Sequence, residues 1–215
     1  LYNKLIESKK IAIYKYKNDL PEDFQIPGDL AIDTEAMGLN MARDRLCVLQ
    51  FSNGDGNGHL IIFDGKNYDA PNLKKLLSDQ SRAKIFHYAR FDLAIIHKYL
   101  GLKLSNIYCT KVASKLIRTY TDCHGLKDLC KELLDIQISK QQQTSYWGAP
   151  ELSNDQLNYA ATDVLYLHKL RDKLNIMLQR ENRQELAMNC FQFLPLRAEL
   201  DILGWNEIDV FAYKS

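Results

Sequence analysis

The sequence predicts an α/β protein, a mixed sheet with helices packed on its faces. Three observations carry this: β-branched and aromatic runs in the first half, alternating strand and helix patterns after Pro71, and helical periodicity from Thr110 onward. The strand runs are Ile11 to Tyr16, Leu30 to Thr34, Leu46 to Ser52 and Leu60 to Phe63, with Pro, Gly, Asn and Asp between them. The glycine-rich stretch from Asn53 to Gly58 lacks the Gly-Lys-Ser/Thr ending of a phosphate loop and has strands on both sides, so it reads as a hairpin turn. Next come a short helix over Asn72 to Leu77, a strand over Ala83 to His87, a helix over Tyr88 to Leu100 stopped by Gly101, and a strand near Ile107. An irregular, Gln-rich connection from Ile138 to Glu151 precedes a long helix opened by Ser153, with Gln156 three residues later completing a capping-box pattern. Leu157, Ala160, Ala161, Val164, Leu167 and Leu174 give that helix one continuous apolar stripe.

With 215 residues the chain can bury a full core. Residues 1–180 are expected to form the main domain. Residues 181–215, too short for a core of their own, form a helical extension packed on it rather than a separate nucleic-acid-binding module. A formal net charge of +1 excludes recognition of a polyanion by bulk electrostatics, so any such partner is gripped locally. The five cysteines are scattered with no Cys-x-x-Cys pair, which fits a reducing compartment. No stretch has the length of a signal peptide core or of a membrane span of ~18 apolar residues. A cytoplasmic protein with no membrane partner is expected.

Four acids and a tyrosine stand where a folded domain would enclose them. Asp33 and Glu35 lie two apart in an apolar strand and so share a face, while Ile32 and Thr34 point the other way. Asp92 is followed by Ile95, Ile96 and Tyr99 on one helical stripe, and Tyr159 and Asp163 are one helical turn apart. An enclosed carboxylate without a partner is costly, and no equally placed Lys or Arg run offers compensation. Oxygen-liking divalent cations do, and a pair of Mg²⁺ or Mn²⁺ ions ~4 Å apart would suit in-line phosphoryl displacement. Each piece also has an ordinary reading: a solvated Asp-x-Glu edge, a dipole-favoured acid near a helix start, a helical Tyr-x-x-x-Asp of no consequence.

Leu30-Ala31-Ile32-Asp33-Thr34-Glu35, Phe86-His87-Tyr88-Ala89-Arg90-Phe91-Asp92 and Leu157-Asn158-Tyr159-Ala160-Ala161-Thr162-Asp163-Val164 resemble the three exonuclease motifs of the ribonuclease D family. That family belongs to the DEDD 3′-to-5′ exonucleases, with a ribonuclease H-like (DnaQ-like) fold. The resemblance spans about Leu30 to Leu174 and takes in His124-Gly125-Leu126-Lys127 and Gln143-Thr144-Ser145-Tyr146-Trp147. It implies that residues 1–180 are an exonuclease domain whose metal ligands are Asp33, Glu35, Asp92 and Asp163. Tyr159, in the place of a histidine, marks the tyrosine subclass and orients the attacking water. The implied reaction releases 5′-mononucleotides singly from single-stranded 3′ ends, RNA favoured over DNA, such as precursor transfer RNA tails. Cys109 before Thr110 and Ala36-Met37 after the first motif depart from the common pattern without touching the ligands.

The same resemblance implies that Met37, Gly38 and Leu39 meet the terminal nucleotide, with Leu39 as an apolar wedge. His87 and Phe91 stand beside sugar or base, against the alternative of a buried histidine satisfied by backbone. Trp147 either stacks on a base or pins its loop to the core. Lys4, Lys9, Lys10, Lys15 and Lys17 form either a phosphate-tracking patch or a solvated surface. His59, His97, His124 and His168 lack ligand spacing, so no zinc is assigned. Three alternatives stay open: a DNA-directed exonuclease of the same fold, a non-catalytic nucleic-acid-binding scaffold, and a glycoside hydrolase using paired carboxylates. No homo-oligomer is predicted, although Leu200, Ile202, Leu203 and Trp205 leave both a packed extension and a dimer contact open.

Overall fold

The β-branched runs fold into one sheet, whose central strand carries Asp33 and Glu35. The computed structural model describes residues 11–40, 43–139 and 141–213. Its strands are β1 (Ile13–Lys17), β2 (Leu30–Ala36), β3 (Leu46–Ser52), β4 (Gly58–Ile62), β5 (Lys84–Phe86) and β6 (Ile107–Cys109). They lie in the order β1-β4-β3-β2-β5-β6. β3 is antiparallel to both β2 and β4, whereas β1 with β4, β2 with β5 and β5 with β6 are parallel. The mixed sheet is thus the expected one, and the Asn53–Gly58 stretch joins β3 to β4 as the hairpin read from its glycines, with Gly54 and Gly56 at positive φ.

The helices are α1 (Pro71–Leu77), α2 (Ala89–Leu100), α3 (Thr110–Ile117), α4 (Leu126–Leu134), α5 (Asn154–Leu165), α6 (Leu167–Arg180) and α7 (Gln184–Ile202). Gly101 ends α2 at φ 69°, as expected of a left-handed stop. Ser153 and Gln156 cap α5 reciprocally, at 3.2 and 3.0 Å.

One expectation is corrected. The stripe from Leu157 to Leu174 does not belong to a single helix: it breaks at Tyr166, whose φ of −105° and ψ of −6° end α5 and begin α6. No proline or glycine marks the break, and its cause is tertiary. Leu157, Ala160 and Ala161 pack with Val48, Leu60 and Trp147 in a small cluster over β3 and β4. Leu167, Leu170, Leu174 and Leu178 instead join the main core with α1, α2, α3 and α7. One stripe serves two layers, so the helix turns between them.

Gly58 sets how deeply α5 can settle. A Cβ there would lie 2.8 Å from the Cβ of Ala161, so the glycine and the small Ala161 together bring α5 close against the sheet. After α6, α7 runs back along α2. Arg90 Nε and Nη2 reach Asp201 at 2.5 and 2.7 Å, and Lys103 reaches Glu199 at 2.9 Å. Lys15 and Lys17 project from the edge strand β1, where charge discourages pairing with another chain; Lys4, Lys9 and Lys10 lie outside the described residues. No helix among the described residues is long and apolar enough to cross a membrane.

Candidate active site

Cross-strand pairing puts Asp33 opposite Gln50 and Glu35 opposite Val48, on the face that α5 covers. A β-bulge follows directly between Glu35 and Ala36, where the strand bends. From above, α5 presents Asp163. Carboxylate oxygens of Asp33, Glu35 and Asp163 all lie within 4.8 Å of one another, and they are the one such group of His, Cys, Asp and Glu among the described residues. Among the described residues no histidine belongs to that group. His59 stacks between Tyr14 and Phe51, and His168 faces the Asp29 carbonyl at 3.1 Å.

Asp92 reaches the same place from the other layer. It sits in the first turn of α2, where the helix dipole favours a negative charge, and is 3% exposed. Thr34, which faces away from Asp33 and Glu35, donates its hydroxyl to Asp92 Oδ1 at 2.6 Å. The strand therefore contributes from both its faces: two acids on one, and on the other the hydroxyl that holds a third. Asp92 is outside the three-acid group but within its field.

The electrostatics follow from burial and like charge. Burial pushes the Asp33 carboxyl up to about 7, against one backbone hydrogen bond that lowers it. Glu35 is raised well above the usual range by burial and then by Asp33, Asp163 and Asp92. Burial and then Asp33 raise Asp92, against the Thr34 hydroxyl. Among the described residues, no cation is among the groups that shift these three acids. The donor set, several hard carboxylate oxygens converging within 4.8 Å, fits a divalent ion such as Mg²⁺ or Mn²⁺ and does not fit a soft metal.

Tyr159 is hydrogen-bonded to Asp163, and its phenol is pushed far above its ordinary value by burial, then by Asp163, Glu35 and Asp33. It is a neutral hydroxyl at any physiological pH. Trp147 packs behind it, ring centroids 6.1 Å apart. At 4% exposure the indole belongs to the small core, so the structure gives it the loop-pinning place and not an open face for a base.

Two of the secondary candidates, Leu39 and Phe91, line a neighbouring groove. A cavity of about 780 Å³ between the residues after β2, the start of α2 and the segment after α7 is lined by Leu39, Tyr88, Arg90, Phe91, Lys98 and Asp201. Leu39 is 83% exposed, and Met37 is also exposed. Gly38 has a packing reason for its identity: a Cβ there would overlap Asp44 Oδ2, which also accepts the Asn40 N–H at 2.9 Å. His87 is half-buried with Nδ1 2.9 Å from the Thr110 hydroxyl. A second groove, about 760 Å³ and lined by Tyr108, Ile176, Met188 and Phe191 among others, lies between β6, α6 and α7, away from the acids.

Three contributors went unread in the sequence. Gln50 donates to Asp33 Oδ2 at 2.6 Å, and Thr34 holds Asp92. Tyr88, at φ 71° in the left-handed region, is an exposed aromatic at the turn between β5 and α2. A lone glutamine in an otherwise apolar strand was the one signal available for the first.

A family profile described as 3′-5′ exonuclease matches residues 3–179. The chain belongs to this 3′-5′ exonuclease family. Its architecture is the ribonuclease H-like one that the motifs implied. Among curated relatives of the exonuclease, DNA polymerase I of Aquifex aeolicus is 35% identical over 178 residues, 81% of this chain and 29% of the relative. Ribonuclease D of Gluconacetobacter diazotrophicus is 31% identical over 156 residues, 72% of this chain and 39% of the relative. The chain thus spans less than half the length of either. Brucella melitensis NrnC with bound Mg²⁺ superposes with a TM-score of 0.89 at 51% identity, covering 94% of this chain and 100% of that one. The same NrnC bound to pGG gives 0.90 at 52% identity, covering 94% and 99%.

Proposed function

We propose that the protein is a divalent-cation-dependent 3′-to-5′ exoribonuclease that removes 5′-mononucleotides one at a time from short single-stranded RNA. The observation that carries this reading is the convergence of Asp33, Glu35 and Asp163 within 4.8 Å, with Asp92 held beside them by Thr34. Two ions, Mg²⁺ or Mn²⁺, would supply a lowered pKa for the attacking water and neutralise charge on the departing 3′ oxygen. Asp33, Glu35 and Asp163 are the ligands we assign to one, Asp33 and Asp92 to the other. Tyr159, whose phenol burial and the neighbouring acids hold above its ordinary value, positions the water through its hydroxyl. Leu39 wedges against the terminal base, with Met37 and Gly38 along the backbone beside it and His87 and Phe91 toward sugar and base. Trp147 acts by supporting Tyr159.

Short ends are favoured over long structured ones by the likeness to a protein solved with pGG. Tails of precursor transfer RNA remain within this substrate class as exposed single-stranded ends. The likeness to a DNA polymerase I supports a second reading, a DNA-directed exonuclease with the same centre. All five cysteines are free, which supports a reducing, cytoplasmic setting. Digestion of matched 5′-labelled RNA and DNA oligonucleotides with Mg²⁺, Mn²⁺ or chelator tests the proposal. A ladder shrinking from the 3′ end of RNA, abolished by chelator, is expected. A labelled strand left intact with either ion would leave the scaffold reading in its place.

A further inference from the structure

Gln50 stands in β3 among Leu46, Cys47, Val48, Leu49, Phe51 and Ser52, all buried, and is itself 0% exposed. It pairs with Asp33 on one side and Leu60 on the other, so its side chain lies on the sheet face covered by α5. Its Nε2 donates to Asp33 Oδ2 at 2.6 Å. The Asp33 oxygen accepts this bond, so the amide presents its NH₂ to Asp33. That orientation turns Oε1 into the interior, where no described group donates to it. For packing alone this is a poor residue. Leucine or methionine would fill the space without a buried, unpaired carbonyl.

From this juxtaposition of a wholly buried amide and an acid of the cluster, we infer that Gln50 is a positioning residue for the cation site. It ties one oxygen of Asp33 and so fixes the plane of the carboxylate. It does so with a neutral donor. An Arg or Lys in its place would hold Asp33 equally firmly but cancel the charge that attracts the ion, whereas an amide orients the ligand and leaves its charge intact. The unpaired Oε1 is the structural cost of that neutrality. This inference rests on the cation-site reading above.

The test is a calorimetric titration of Mn²⁺ into the chelator-stripped chain, without nucleic acid, for the parent and Gln50→Leu, together with the melting temperature of each in chelator. Gln50→Leu is expected to melt at or above the parent yet bind Mn²⁺ about 10- to 100-fold more weakly. Equal Mn²⁺ affinity would overturn the inference, and so would a weakened affinity matched by a large fall in melting temperature, which would make Gln50 merely structural. If Gln50→Leu does not fold, Gln50→Met, unbranched and without a donor, carries the same comparison. A parent that takes up no Mn²⁺ would instead refute the cation site itself, a result distinguishable from either.

Discussion

Arg118 is fully buried and Asp33 half-buried, yet among the described residues only Arg118 is surrounded by groups of the opposite kind. Its guanidinium is paired with Glu132, donates to Ser114 Oγ at 3.0 Å and to the Cys123 carbonyl at 2.7 Å, and lies 5.7 Å from the Tyr120 ring centroid. Those partners come from α3, α4 and the turn between them, so the charge fastens elements together. Around Asp33 and Glu35 the charged neighbours are carboxylates, and the donors that do reach the acids, Gln50 and Thr34, are neutral. The first arrangement is complete within the protein. In the second, no basic side chain is among the groups that shift Asp33 and Glu35 among the described residues, and under the proposed function a bound ion supplies the balance.

The sharpest way to break this contrast is to remove one acid. Asp33→Asn is expected to lower RNA cleavage by more than about 100-fold, beyond the range usual for groups that merely support a metal ligand. It should also raise the melting temperature in chelator, because a repelling charge is gone; an Asp33→Asn protein with parental activity would contradict the assignment. The next effect is one of pH. The folded Asp33 carboxyl, at about 7, lies above its unfolded value near ~4, so between these limits the folded state holds the extra proton. The Asp33 contribution to the stability of the metal-free protein is therefore full below about pH 4 and falls as pH rises to about 7, by on the order of 2–4 kcal/mol, a fall that Asp33→Asn should lack. Saturating Mn²⁺ should flatten that fall. Urea melts at intervals of pH, with and without the ion, measure both slopes.

Tyr159→Phe should slow single-turnover cleavage by about 10- to 100-fold while Mn²⁺ binding is kept, since it loses a positioning hydroxyl and no ligand. At the structural site the pattern should invert. Glu132→Gln is expected to cost about 1–3 kcal/mol of stability and leave the cleavage rate unchanged; the figure lies below that for a fully buried pair because the Glu132 side chain is 42% exposed. The smallest effect is expected from Leu39→Ala, a rise in KM of about tenfold or less with kcat kept, if the exposed side chain contributes binding to a terminal base.

Much of this molecule could be read in its residues. The hairpin between β3 and β4, the Gly101 stop and the Ser153–Gln156 box are local devices, legible because turn and cap chemistry is decided within a few residues. The alternation in β2 placed Asp33 and Glu35 on one face for the same reason. What escaped depends on packing between distant segments. The break at Tyr166 arises because α5 and α6 serve different layers, and no local residue announces it. Trp147 looked available in a polar stretch, but the loop folds its ring into the small core behind Tyr159. Thr34 and Gln50 could be placed on strands, whereas the acids they hold are 58 and 17 residues away in sequence. A periodicity argument sees faces, not partners.

The central claim, that the acids tolerate one another because a divalent ion sits among them, is tested most directly by thermal unfolding at neutral pH with Mn²⁺ added to the chelator-stripped protein. At about 100 times the dissociation constant, binding to the folded state alone contributes about 2.7 kcal/mol. For a chain of this size that is a rise in melting temperature of roughly 5 to 11 °C. The account predicts that rise for the parent and its absence in Asp33→Asn. A melting temperature indifferent to Mn²⁺ in the parent would contradict it.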